Sequence, residues 1–400
     1  MVSEPSLSLG ALVDAAFDEM IDTRRLLHRR PELGFEEVET TSLIKQRLGS
    51  LGLDERPLRT PTGAAFALTG GRPGRPVVLR ADIDALPVTE GVDLPFASEM
   101  AGRMHACGHD AHTAALLGVA RVLAERAEDL AGSYLFVFQP AEELLGGASS
   151  MLDAGVLDGT EGGAVIGHHV TSLAPVGMVG IRPGVTMAEV HVFAITVSGP
   201  GGHGAIARSG GDVVVAIGQA VLDLGSAVAG MDFEQVPCMC TAGKVVAGSA
   251  PNVVPDRATL WGTLRTFTPQ QCAEALARLG SLCRRLGDQH GVEVEFQVLG
   301  SAPAVVNDPS VTAVTQAVAR RVLGATGVLA LPPVTPSDDV SEFLNRLPGC
   351  YFFVGAALAD GSSGTHHSPR FAIDERALAV AARVMAETAV AVAGGDTTAD

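Results

Sequence analysis

The sequence predicts an α/β protein: a catalytic-type domain built on a mostly parallel sheet, interrupted by an inserted ferredoxin-like α+β sandwich. Three observations carry this expectation. The chain has 400 residues, too many for one ordinary core, so two domains are expected. Its first part alternates short apolar strands with helices, the pattern of a parallel sheet. Its middle part changes to longer alternating strands in the order strand-helix-strand-strand-helix-strand, the ferredoxin-like arrangement.

In chain order, residues 11–30 carry helical apolar spacing at Leu12, Ala15, Ala16, Met20, Leu26 and Leu27, and Pro31 stops the helix. A second helix runs from about Glu37 to a stop at Gly52. Residues 64–68 and 77–79 read as strands, and Asp82 and Asp84 follow the second at its exit. Helical signals resume over 110–127. Residues 134–138 form a continuous apolar run, typical of a strand buried on both faces, and deliver Glu142 and Glu143. Residues 164–166 are another such strand and deliver His168 and His169. Longer alternating strands follow at 190–198, 236–246, 258–267 and 292–299, with helices at 211–229 and 269–289. Helix, strand and helix return at 312–322, 351–354 and 375–392. The simplest organisation is a discontinuous domain over 1–186 and 301–400, with the insertion at 187–300 and a frayed tail from Gly394.

Composition narrows the function. Apolar residues make up 47% and aromatics 4%, so the cores are built from Ala, Val and Leu. A formal charge of -17 argues against nucleic acid or an anionic membrane surface as partner. Six cysteines are scattered rather than framed for disulfides, which predicts a reducing, cytoplasmic setting. Cys238 and Cys240 share one face of a strand and read as small core residues. No uninterrupted apolar run approaches 18 residues, and Met1 to Gly10 lacks the features of a signal peptide.

The chemistry concentrates in a few places. His105, Cys107, His109, Asp110 and His112 fall within eight residues, with Gly108 permitting a tight bend between thiol and imidazole. Eight of the eleven histidines lie in this run, in the pairs His168-His169 and His366-His367, or at His203. Two adjacent carboxylates at a buried strand end repel each other unless a cation or proton separates their roles. A metal resolves this: one carboxylate ligates and the other moves a proton. Neighbours on an extended backbone point oppositely, so one member of each His pair should face the metal; sequence physics leaves open which. Thiolate and imidazole favour zinc, cobalt or nickel by softness. In the insertion, His203 sits in a glycine-rich turn, and Asn252 and Arg265 are further polar candidates; an arginine can grip a carboxylate through two hydrogen bonds.

These residues resemble the amidohydrolase branch of the aminoacylase/carboxypeptidase metallohydrolase family, which includes hippurate hydrolases, auxin-conjugate hydrolases and N-acyl-amino-acid amidohydrolases. The resemblance rests on five ordered motifs: His28 to Phe35, Arg80 to Pro87, Met104 to Asp110, Gln139 to Glu143 and His367 to Phe371. It implies two divalent ions per subunit, zinc or manganese, held by Cys107, His109, Glu143, His169 and His367, with Glu142 as general base. It implies that a metal-bridging hydroxide cleaves the amide of an N-acyl amino acid, with His203, Asn252 and Arg265 binding substrate from the smaller domain. That domain would also form a homodimer or higher oligomer, and Asp84 would orient a ligand. The chain departs from the family pattern at Ala207, where proline is usual, at Arg208, where histidine is usual, and at Asp338, where glutamate is usual. A dipeptidase or carboxypeptidase on the same scaffold is the second reading, and a metal- or peptide-binding protein without catalysis the third.

Overall fold

The computed structural model describes residues 7–206 and 211–395; Ala207 and Arg208 therefore lie outside the described residues. The chain divides into two compact units. One comprises Met1–Gly184, Val306–Leu331 and Asp339–Asp400; the other comprises Val185–Val305 and Pro332–Asp338. In chain order the principal elements are α1 (Leu9–Ala15), α2 (Phe17–Arg29), α3 (Val38–Ser50), β1 (Ala64–Thr69), β2 (Arg72–Asp82), α4 (His109–Ala124), β3 (Ala131–Gln139), α5 (Gly147–Asp153), β4 (Ala164–Pro175), β5 (Glu189–Ser198), α6 (Val213–Asp223), β6 (Met239–Ala247), β7 (Arg257–Thr266), α7 (Pro269–His290), β8 (Glu293–Ala302), α8 (Pro309–Leu323), β9 (Gly349–Ala357) and α9 (Ala377–Gly394).

The first unit is a mixed α/β structure around an eight-stranded sheet in the order Asp54–Glu55, β1, β3, β2, β4, β9, Val179–Gly180, Val328–Leu329. The four central strands β3, β2, β4 and β9 are parallel, and antiparallel pairs flank them. Strand periodicity explains the layering. Phe136 and Phe138 of β3 join the core shared with α4 and α9, whereas Leu135 and Val137 join a smaller core with Ala148 and Met151 of α5. Both faces are covered, so the strand reads as an unbroken apolar run.

In this unit three boundaries depart most from expectation. The predicted helix over 11–30 is two helices meeting at Ala16. The strand expected at 77–79 begins at Arg72. The strand expected to end at residue 166 continues to Pro175, because its parallel partner pairs through it, His168 opposite Phe352 and His169 opposite Phe353. The two histidines are therefore mid-strand and not at a strand exit. His366 and His367 also lie away from a strand end, in the loop between β9 and α9.

The second unit carries a four-stranded antiparallel sheet, β6-β7-β5-β8. Phe193, Ile195 and Val197 of β5 and Leu260 and Leu264 of β7 pack with Ile217 and Ala220 of α6 and Leu279 and Leu286 of α7. The strand expected over 236–246 is interrupted: Val236–Pro237 pairs with Asp232–Phe233, and β6 starts at Met239. Cys238 and Cys240 are both buried in this core.

Helix α9 has the length and mean hydropathy (18 residues, 1.5) of a membrane span. Arg383 and Glu387 interrupt its apolar run, and Leu378, Ala381, Ala382, Val384, Met385 and Ala389 are buried in the core of the first unit. It is the core helix of a packed α/β layer.

Candidate metal centre

The centre is assembled where β2, β3 and β4 meet the start of α4. Gly108 is the cap of α4, with φ of 90°. A Cβ there would stand 2.5 Å from Val170 Cγ2, so glycine is needed both for the backbone and for the space. This bend sets Cys107 just outside the helix and His109 at its first residue. Both are buried.

Cys107 Sγ lies 3.4 Å from His169 Nε2 and 3.7 Å from His366 Nδ1. Burial first, and the Glu143 charge second, push its thiol up, while His109 and His367 oppose that rise. His109 Nδ1 is 2.9 Å from the Asp84 carbonyl oxygen and 3.2 Å from its Oδ1. Both are acceptors, so Nδ1 carries the hydrogen and Nε2 presents its lone pair. That Nε2 is buried with no hydrogen-bond partner. His169 repeats the device: Nδ1 donates to the Val170 carbonyl at 2.6 Å and Nε2 faces Cys107. The ligand atoms of Cys107, His109 and Glu143 lie within 4.8 Å of one another, as do those of Cys107, His169 and His366 and those of His109, His112 and His169. A buried imidazole nitrogen without a partner on His109, a second imidazole nitrogen on His169 facing the thiol, and a carboxylate, in overlapping groups that share Cys107, fit a soft to borderline divalent ion.

Glu142 and Glu143 are aimed by an unusual turn. Ala141 has φ of 48° in the left-handed region, strained for a residue with a Cβ. Its N–H donates to Glu37 Oε1 at 2.8 Å, and Glu37 is itself buried and accepts from the Thr62 hydroxyl at 2.5 Å. Burial raises the Glu37 pKa. The Glu143 N–H donates to Asp84 Oδ2 at 3.0 Å. Asp84 thus braces one imidazole and one glutamate of the cluster at once. Glu142 is 7% exposed.

The two His pairs behave differently. On β4 alternation holds: His169 faces the cluster, while His168 stacks on Phe352 at 5.9 Å with both ring nitrogens unpartnered. At 366–367 it fails, because His367 has φ of 62° and the chain is not extended. His367 N–H donates to the Ala106 carbonyl, drawing the loop against the Cys107 segment. Its Nε2 lies 3.2 Å from Glu143 Oε1, and hydrogen bonds to Cys107 and Glu143 push it up to about 10. His366, facing Cys107, is pushed down to about 4 by burial and by the His367 charge. Both members therefore reach the cluster.

His112, a candidate by sequence, is spent. Its Nδ1 donates to Asp82 Oδ1 at 2.6 Å and its Nε2 accepts from the Val170 N–H at 2.9 Å, so no lone pair remains for an ion. Asp82 belongs to a buried ionic layer that sequence reasoning left without a role. Arg80, fully buried, donates to Asp82, Gln139 and Asp339 at 2.7, 2.9 and 3.2 Å. Burial works against ionisation of Asp82, but His109, His112 and Arg80 hold its carboxyl well below the usual range. A second layer joins α2 to α4: Asp110 Oδ2 accepts from Arg24 at 3.1 Å and from His28 Nδ1 at 2.8 Å, and His28 Nε2 meets Glu90 at 3.1 Å. The signal was available, since charged residues inside apolar segments such as 77–84 must be paired.

In the second unit, His203 and Asn252 come together. Gly202–His203 pairs with Val253–Val254, and the Asn252 carbonyl accepts from Gly204 N–H at 2.9 Å. His203 is exposed, with Nδ1 accepting from Ala205 N–H. Arg265 on β7 donates to the Thr335 carbonyl and the Ser337 hydroxyl at 3.0 and 2.9 Å. Asp338 is buried.

A family model described as Peptidase family M20/M25/M40 matches residues 78–391. The chain is 37% identical to an N-acetylcysteine deacetylase of Bacillus subtilis (strain 168), over 95% of this chain and 99% of that protein. It is 36% identical to an IAA-amino acid hydrolase ILR1-like 2 of Arabidopsis thaliana, over 94% of this chain and 85% of that protein. Among solved structures it resembles the Bacillus subtilis YXEP protein, described as a dinuclear metal binding peptidase, with a TM-score of 0.80 and 33% identity, covering 96% of this chain and all of that one (100%).

Proposed function

The chain belongs to peptidase family M20/M25/M40 and is a metallo-amidohydrolase; from that premise we propose that it hydrolyses the amide bond of N-acyl amino acids, releasing a carboxylic acid and a free amino acid. The observation that carries the chemistry is the pair of imidazoles, His109 and His169, whose Nδ1 hydrogens are committed elsewhere and whose Nε2 atoms point at Cys107 and its neighbours. The relatives named above for acetylcysteine and for an amino-acid conjugate support the substrate class.

We assign Cys107, His109, Glu143, His169 and His367 to two divalent ions, zinc or manganese. Such a pair, when bound, lowers the pKa of water and polarises a carbonyl. The protein's own part is to place the remaining groups. Glu142, next to a ligating glutamate, takes the proton of the attacking water and returns it to the leaving amine. His203 donates to the carbonyl oxygen as charge builds there, and Asn252 and Arg265 hold the amino acid's free carboxylate. Asp84 fixes the tautomer of His109 and the backbone of Glu143. We further assign the second unit to a homodimer, and the enzyme to the cytoplasm.

The test is a panel of hippurate, N-acetyl-methionine, a long-chain acyl amino acid and a dipeptide, run on metal-stripped and metal-restored protein. Metal-dependent cleavage of the acyl amino acids with little on the dipeptide is the expected result; preference for the dipeptide moves the assignment to a peptidase. Glu142→Gln should retain its metal while kcat falls on the order of 10²–10⁴-fold. Near-normal turnover in that variant removes Glu142 from the proton-transfer role.

A further inference from the structure

The second unit contains a cluster unrelated to the centre described above. Glu189 and His191 occupy alternate positions at the start of β5 and so share a face with Phe193, Ile195 and Val197. That face is covered by α6 and α7 and is the core of the unit. Two polar side chains on a core face need partners. The first turn of α7 supplies one: Cys272 begins the buried stripe that continues through Ala275, Leu279 and Leu286. Cys272 Sγ lies 3.0 Å from His191 Nε2, and Glu189 Oε1 lies 2.7 Å from the same nitrogen. The three ligand atoms are within 4.8 Å of one another.

The shared nitrogen is the telling feature. In a nucleophile–base–acid relay the thiol and the carboxylate use opposite nitrogens of the ring. Here both use Nε2, and Nδ1 is buried without a hydrogen-bond partner. One ring nitrogen carries at most one hydrogen and cannot serve two acceptors well. A sulfur, a nitrogen and an oxygen converging on a single point is instead the arrangement of a metal-ligand set. The Thr266 side chain, opposite Glu189 in the β7 register, adds a fully buried hydroxyl with no partner beside the cluster.

We propose that Glu189, His191 and Cys272 bind a borderline-soft divalent ion, zinc or cobalt, which pins the first turn of α7 to β5. Thiolate and imidazole donors select such an ion over magnesium or calcium. Tetrahedral zinc bond lengths set S···N and N···O separations of about 3.6 and 3.3 Å, so the side chains open by about half an ångström around it.

The experiment is a cobalt titration of the metal-stripped full chain, read by thiolate-to-cobalt absorption and bound equivalents. Cys107 contributes to the same band, so the comparison is between the native protein and Cys272→Ser. The variant should lose about half of the absorption and one bound equivalent per chain, and His191→Asn should do the same. The Cys107 share remaining in both variants shows that they are folded, and it reports on the first centre independently. Equal absorption and equal stoichiometry in the native protein and both variants overturn the proposal. Loss of the equivalent with turnover of the acyl amino acid substrate retained places the ion outside the reaction.

Discussion

Asp84 shows how much of the centre depends on single atoms. Its carbonyl and Oδ1 hold His109 Nδ1, and its Oδ2 accepts from the Glu143 backbone. A ligand histidine whose second nitrogen loses its acceptor can rotate or change tautomer, which weakens metal binding by about 10–100-fold. Asp84→Ala keeps the backbone carbonyl acceptor, so the loss should fall at the lower end of that range, measured by competition with a chelator. Unchanged affinity would mean that the side chain does not brace the site. The residue types that cluster here were legible in the sequence as candidate ligands because a thiol, imidazoles and paired carboxylates in apolar surroundings have few other uses. Their orientation was not. Alternation separated His168 from His169, but it misjudged 366–367 because the left-handed backbone at His367 has no mark in a His-His-Ser-Pro run. The backbone support from Glu37 to Ala141 spans 104 residues and could not be read from local pattern.

Helices α2 and α4 are joined by charge as well as by packing. His28 is buried among Asp110 of α4, Glu90, Arg24 of its own helix, His105 and Phe96. Burial opposes its ionisation, yet Asp110 and Glu90 outweigh that and raise it to about 9. The sign follows from linkage. A group whose folded pKa exceeds its unfolded value binds its proton more tightly when folded. The stability it contributes is fully present below about pH 6.5 and is lost as pH rises through about 9. Urea unfolding at those two pH values should therefore show a decline in the native protein, on the order of 2–3 kcal/mol at most. His28→Ala should flatten that decline while lowering stability at the acid end; an equally steep decline in the variant would exclude His28 as its source. At this scale the sequence predicted most elements within a few residues, since apolar periodicity marks them. It shortened β4 because two histidines look like the end of an apolar run, whereas pairing with β9 carries the strand through them. It merged α1 and α2 because Ala16 interrupts the helix without a proline or glycine.

For the molecule as a whole, the change in strand pattern near residue 187 was legible because a sheet covered on both faces and one covered on a single face impose different periodicities. The return of Pro332–Asp338 to the second unit was not, since seven residues of loop have no periodicity to read. The division into two units gives a prediction about metal removal. The donors proposed for the first centre come from the loop before α4, the first residue of α4, the turn after β3, mid-β4 and the 366–367 loop, segments far apart in the chain that meet within one unit. A cation that binds this set when folded and not when unfolded stabilises that unit by RT ln(1 + [L]/Kd), about 2.7 kcal/mol at a hundredfold excess over Kd. Without the cation the cluster keeps a raised Cys107 thiol and proton-bridged pairs such as His367 with Glu143, which are weaker links than coordination. Chelation should therefore lower the melting temperature of the first unit, and zinc or manganese should restore it together with turnover. The residues proposed as ligands of the first centre lie outside the second unit, whose core is formed by its own sheet and helices. If Cys272→Ser is used to remove the separate ion proposed there, any remaining chelator-dependent shift belongs to the first unit. Calorimetry of that variant with and without chelator reads this directly: a shift confined to one transition locates the stabilising ion, and no shift at all would mean that the cluster around Cys107 is held by packing and hydrogen bonds without a cation.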